Sequence, residues 1–297
     1  MATDTLSTQA RRLGSVLEPV IGQVYFSPEC HAGYQVLGFD PSPGRAGGVA
    51  LPDGPAYFTS RGSVMGQVPG ELVAAAFAVF NPDVVIPAVA LGWTRTDAAT
   101  ICAARTDGAI EQLRRLIGPS PDGVEHVVEL LTRATDTLRP EGRPMYAGIR
   151  SLGVPDDPLA AVWRLGDMLR EYRGDAHTAA WTSAGFDATE IGALSELYWG
   201  MPLRSYSRTR AWTDEQLDEA HDRLRSRGLL DDVGFTDAGR EAREAVEVAT
   251  DRQMAPVIAA LGHDIDELCS IMGPWGAAVR AGGGYLASGP HDLGGRS

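Results

Sequence analysis

The alternation of apolar and polar positions is clearest between residues 213 and 262. Thr213 with Gln216 three residues on has the form of a capping box, so a helix is predicted to start there. Leu217, Ala220, His221 and Leu224 recur at helical spacing and give that helix one face for a core. Gly228 stops it. Leu229-Leu230 then reads as a short strand and Val233-Gly234-Phe235 as a tight turn back. Thr236 caps a second, longer helix whose apolar side carries Ala242, Ala245, Val246, Ala249 and Met254.

The same reading places helices at 10–24, at 28–38 (opened by Ser27-Pro28-Glu29), at 69–80, at 97–117 and at 124–138. Asn81-Pro82 ends the helix at 69–80. Residues 41–55, rich in Pro and Gly, read as a flexible segment, and 139–155 as a linker. Asp157-Pro158 caps a helix running to about Tyr172, followed by helices at 176–183 and 187–198. The Gly-rich end from 281 reads as a flexible tail.

An internal repeat runs through these elements. Leu72, Val84 and Val85 align with Leu217, Leu229 and Leu230 at an offset of 145. Thr106-Asp107 matches Thr250-Asp251 at 144, Thr96-Asp97 matches Thr236-Asp237 at 140, and Gly38-Phe39-Asp40 matches Gly185-Phe186-Asp187 at 147. The order and the narrow range of offsets point to a duplication: one unit over 1–150, a second over 151–280, and the tail over 281–297.

The phrase from Arg227-Gly228-Leu229-Leu230 to Phe235-Thr236-Asp237-Ala238-Gly239-Arg240, set between two helices, resembles the recognition helix, wing and following helix of MarR-type winged-helix proteins. That resemblance implies a mainly α fold of two tandem winged-helix-like repeats forming an intramolecular pseudo-dimer, with short β-hairpin wings. It also implies a groove for a small aromatic or anionic molecule where the halves meet. The whole chain further resembles an actinobacterial helix-turn-helix-like family without an assigned activity, on the stretches LEPVIGQVYFSPE, REYRGDAH and RTRAWTDEQ. The pattern of that family has a histidine near Ile21 and another near Arg164; this sequence has neither.

Composition and charge qualify that reading. All 26 basic residues are arginine, which points to a high-GC genome. No apolar run approaches the roughly 18 residues a membrane helix needs, and the N-terminus lacks the basic-then-apolar order of a signal peptide, so a cytoplasmic protein is expected. Residues 1–150 hold 12 arginines against 15 acidic residues, and 151–297 hold 14 against 24. The helix expected to read DNA therefore lies in the acidic half. Its first turns carry Asp214, Glu215, Asp218, Glu219 and Asp222, which would repel a phosphate backbone, whereas base reading relies on Arg, Lys, Asn and Gln. DNA is thus an unlikely partner on sequence grounds.

The densest polar cluster is Arg170-Glu171-Tyr172-Arg173-Gly174-Asp175-Ala176-His177, placed by the pattern at a junction of two helices with Gly174 as the turn. Arg170 and Arg173 are candidate clamps for a carboxylate, His177 a candidate proton donor or acceptor, and Asp175 its orienting partner. Tyr25, Tyr57, Arg61, Tyr198, Trp199, Arg210 and Trp212 add the aromatic and basic side chains that a pocket for a planar anion uses, with Trp199 and Trp212 as stacking walls. The three cysteines match no metal spacing, and no phosphate-binding loop or nucleophile motif occurs, so no metal or cofactor is expected. The function expected is small-molecule binding between two degenerate repeats by a monomer or homodimer, with DNA binding lost and an enzymatic step in secondary metabolism as a variant. A ligand-responsive regulator and a protein-interaction scaffold are the alternatives.

Overall fold

Side-chain caps set most of the helix starts in the computed structural model, which describes residues 2–287. Helix α1 (Ala2–Ile21) continues through a 3-10 turn into α2 (Pro28–Val36), where Ser27 accepts the Cys30 amide. The Pro/Gly segment is not free: it folds into a minimal hairpin, β1 (Arg45–Ala46) with β2 (Val49–Ala50), whose Val49 and Ala50 are buried. Asp53 then caps α3 (Gly54–Gly62), a helix the pattern did not predict. α4 (Gly70–Phe77) is followed by α5 (Pro82–Arg95), capped by Asn81, and α6 (Ala98–Ile117), capped by Asp97. α7 (Val124–Asp136) and α8 (Pro144–Ser151) follow, α8 lying inside the expected linker.

In the second half, Asp157 accepts the Ala160 amide and Pro158 stands at the first turn of α9 (Pro158–Ser183). α10 (Ala188–Tyr198) and α11 (Asp214–Ser226) each begin with a full capping box, on Asp187 with Glu190 and on Thr213 with Gln216. Leu230 and Phe235 form an isolated antiparallel bridge before α12 (Asp237–Gln253), capped by Thr236. α13 (Ala255–Leu261) and α14 (Ile265–Ala281) complete the order. Each side-chain cap contributes about 1 kcal/mol, so local sequence does much to fix these boundaries.

Several expectations are corrected. The junction expected at Gly174 does not exist: α9 passes through it unbroken. A glycine inside a helix costs only about 1 kcal/mol, and burial along α9, including a fully buried Trp163, outweighs that. The first half carries no wing after the counterpart of α11. Val84-Val85, aligned with Leu229-Leu230, lie within α5, and only Thr96 separates the end of α5 from the cap of α6; Leu229-Leu230 themselves form no strand beyond the single bridge at Leu230. Asn81-Pro82 ends one helix and starts the next, because asparagine is a good cap and proline is tolerated at the first helical position.

The apolar core does not divide at residue 150. One continuous cluster joins α1 to α8, most of α9, and then Met254 to Tyr285. A smaller cluster gathers the end of α9, α10, Leu224, Leu229, Leu230 and Val246. Tyr285 is buried, and its hydroxyl donates to Glu18 at 2.9 Å, so the segment expected to be a flexible tail contributes to the core at this point. Residues 288–297, the remainder of that expectation, lie outside the described residues. No helix among the described residues is long and apolar enough to cross a membrane.

Candidate ligand cavity

Because α9 is continuous, its residues from Leu169 to Thr178 share one rigid wall. That wall flanks a cavity of about 900 Å³ bordered by α1, the turn at Tyr25-Phe26, the hairpin, α3, the end of α4, one face of α10, residues 199–212 and Tyr285-Leu286. Tyr25, Tyr57, Arg61, Arg170, Arg173, Asp175, His177, Trp199, Arg210 and Trp212 all line it. Tyr198 does not belong to this lining. Its hydroxyl donates to Glu244 at 2.6 Å and accepts from Arg11 Nη1 at 3.4 Å, and burial pushes its pKa up to about 12.

The arginines expected to clamp a ligand are engaged by the chain itself. Arg170 reaches Glu18 (3.0 Å) and Glu171 (2.8 Å), while Arg61 meets both Glu171 oxygens at 3.0 Å. The Tyr25 hydroxyl donates to Glu171 at 3.3 Å and accepts from Arg170 at 3.2 Å. Burial would raise the Glu171 carboxyl, but Arg61 and Arg170 together hold it below its ordinary value. Arg173 donates to Glu247 at 2.9 Å and to Asp251 at 3.3 Å; Arg243, fully buried, also holds Glu247 at 2.6 Å. Burial would raise Glu247 too, yet Arg243 and Arg173 win, and its pKa falls. Removing one partner from such a buried pair costs about 3–5 kcal/mol, so these ion pairs are poor candidates for release to a ligand. Arg170 and Arg173 thus line the cavity with their guanidinium groups already held by the chain's own carboxylates.

Two charged groups on the cavity wall are arranged differently. Arg210 has no carboxylate partner among the described residues. Its guanidinium lies 4.7 Å from the Phe80 ring centroid and 4.1 Å from that of Tyr206, donates to the Tyr206 hydroxyl, and leaves a buried Nε without a partner. Asp175 accepts the Tyr146 amide at 3.0 Å through Oδ2, and no cation pairs with it among the described residues. Burial, with the neighbouring Glu171 charge, pushes its pKa up to about 7 against the weaker pull of the Tyr146 amide, Arg143 and Arg61. His177 meets Thr250 through Nδ1 at 3.1 Å rather than Asp175, so the expected orienting role of Asp175 is replaced by a hydroxyl.

Residues 199–213 form a strap from α10 to α11 and supply Trp199, Tyr206, Arg210 and Trp212 to the cavity. Glu196, fully buried, holds it: Oε1 accepts the amides of Tyr206 (2.7 Å) and Ser207 (2.6 Å), and Oε2 that of Arg204 (2.6 Å). Arg204 and Ala211 adopt positive φ of 67° and 64° here, a conformation costly for residues with a Cβ. Trp212 donates to the Val79 carbonyl at 2.9 Å, and the next residue, Thr213, caps α11. Sequence reasoning found the aromatics and arginines of the cavity but missed Glu18, Glu247, Asp251 and Glu196. For Glu18, Glu247 and Asp251 the signal was present, since arginines in apolar helices require acidic partners; Glu196 holds backbone amides and left no such signal.

On α11, Leu217, Ala220, His221 and Leu224 are buried, as the helical spacing implied. Asp214, Glu215, Asp218, Glu219 and Asp222 are exposed. The nearby arginines are engaged: Arg208 with Asp214 at 2.7 Å, Arg204 with Asp218, Arg225 with Asp222 at 3.1 Å, and Arg223 with Asp187 at 2.7 Å.

No curated protein and no solved structure matches the chain. A family model described as a helix-turn-helix family matches residues 10–286, a span that takes in both apolar clusters, the strap and every residue of the cavity wall. The chain belongs to this helix-turn-helix family.

Proposed function

We propose that the chain binds a small molecule of aromatic or anionic character in the cavity lined by both of its halves. What supports this is the pairing of a cavity of about 900 Å³ with aromatic walls and one cation, Arg210, that no carboxylate of the described chain neutralises. Ligand sites combine apolar walls with a few placed polar groups in this way. Mass spectrometry of the purified protein under native and then denaturing conditions is the direct test, because a bound molecule is released on unfolding. Titration with aromatic carboxylates should quench emission from Trp199 and Trp212. An empty protein whose emission no such compound changes would refute the proposal. If the molecule is turned over, His177→Ala should lose rate while keeping affinity, which separates an enzyme from a binder.

In this reading α11 does not read DNA, given its exposed carboxylates and engaged arginines. A second reading, a ligand-responsive regulator, draws on family membership and on the position of Trp212. That side chain lines the cavity and adjoins the cap of α11, so an occupant would act directly on the helix start. A mobility-shift assay against the protein's own upstream DNA at modest salt discriminates: a sequence-selective, salt-sensitive shift favours the regulator.

A further inference from the structure

The charges on the cavity wall sort into two kinds. Glu18, Arg61, Arg170, Glu171, Arg173 and Glu247 are joined in internal ion pairs. Arg210 and Asp175 are joined to no opposite charge among the described residues, nor to each other. A continuous surface connects them. Phe80 lies under Arg210, the Tyr57 ring is 5.7 Å from Phe80, and the Tyr57 hydroxyl accepts from Arg61 at 3.3 Å. Arg61 in turn holds Glu171, which stands one helical turn before Asp175 on α9.

We infer that the cavity is built for a dipolar ligand, one that brings an anionic group to Arg210 and a protonated amine to Asp175, with its body lying along Phe80 and Tyr57 and past the Arg61–Glu171 pair. The inference rests on the proposal that the cavity is a ligand site and specifies the ligand's chemistry. Each end of such a molecule completes an interaction that the protein leaves open. A simple anion would complete only one and would leave Asp175 ionised and uncompensated above neutral pH. The charged groups around Asp175 offer it no substitute. Glu171 repels a second negative charge, and Arg61 is held by Glu171. Arg143, from the turn before α8, donates to the Tyr172 carbonyl and Gln253. On the other packed helices, Glu247 and Asp251 of α12 are held by Arg173, and Glu18 of α1 by Arg170.

Calorimetric titration of the full chain with 11-aminoundecanoate, undecanoate and undecylamine tests this, since the flexible chain lets both ends find their partners. The dipolar compound should bind at least about tenfold more tightly than either singly charged one. Its advantage over undecanoate should grow as pH rises through about 7, where Asp175 ionises, and shrink below. Asp175→Asn should reduce 11-aminoundecanoate to the affinity of undecanoate while leaving undecanoate unchanged, and Arg210→Met should reduce it to that of undecylamine. Equal binding of undecanoate and 11-aminoundecanoate by the unaltered protein overturns the dipolar ligand and leaves the cavity as a ligand site. Failure of all three to bind also overturns the dipolar ligand, and the response to aromatic carboxylates then decides whether the cavity is a ligand site.

Discussion

Asp175 makes the stability of the empty protein depend on pH in a direction opposite to that of most carboxylates. Its carboxyl is held near 7 in the folded chain, against 3.8 ordinarily, chiefly because burial penalises the charged form. The folded state therefore holds a proton that the unfolded state releases, and the contribution of this group to stability falls as pH rises from about 4 to about 7. Above 7 the ionised group costs the fold about 4 kcal/mol. That figure is an upper value, because the cavity beside Asp175 is wide enough for water to screen the charge. Asp175→Asn removes the charge while leaving an oxygen to accept the Tyr146 amide. Urea unfolding of both proteins at pH 5 and at pH 8.5, followed by circular dichroism, isolates the effect. The variant should be the more stable by about 1–2 kcal/mol at pH 5 and by about 2–4 kcal/mol at pH 8.5. A variant less stable than its parent at pH 8.5, or a gap independent of pH, would refute the reasoning and mean that Asp175 is stabilised by a partner in both ionisation states.

Glu196→Gln should loosen the strap, since an amide cannot accept the three backbone N–H groups as the carboxylate does. A local loss of about 1–3 kcal/mol is expected, read as faster hydrogen exchange at Arg204, Tyr206 and Ser207 with α7 unaffected; unchanged protection would show that the strap is held by something else. Gly108→Ala would place a Cβ 2.6 Å from the Cys30 backbone, forcing α2 and α6 apart. A loss of about 1–3 kcal/mol should appear as a lower melting temperature. The matched Gly273→Ala, where nothing lies within 4 Å, should be neutral or stabilising by about 1 kcal/mol.

The helix starts were legible because caps are local: Thr213 with Gln216, Thr236, Asp97 and Asp157 each cap where the sequence places them. The side chains of the cavity were largely legible too, as aromatics and arginines on segments that the fold brings together. What the sequence hid was decided by tertiary context. Gly174 reads as a turn, yet it is an exposed position in a helix that is buried before it, from Leu159 to Leu169, and just after it at Asp175-Ala176, which keeps α9 continuous. Val84-Val85 reads like Leu229-Leu230, yet the Asn81 cap and the packing of α5 on α3 and α4 make it a helix. The ion pairs were hidden for a similar reason: Arg173 and Glu247 are 74 positions apart in the chain and meet only when α12 packs on α9.

The main core also has an order of assembly written into it. α14 packs along α1, so closely that a Cβ on Gly276 would stand 2.8 Å from Pro19. Two helices far apart in the chain thus cover one another. Contacts between such distant segments are slow to form, because the chain between them must first be closed into a loop. Until α14 emerges, the apolar side of α1 and the faces of α6 and α7 that α14 covers stay exposed. A fragment ending before α13 should therefore aggregate rather than fold, because the apolar faces that α14 covers stay exposed without it.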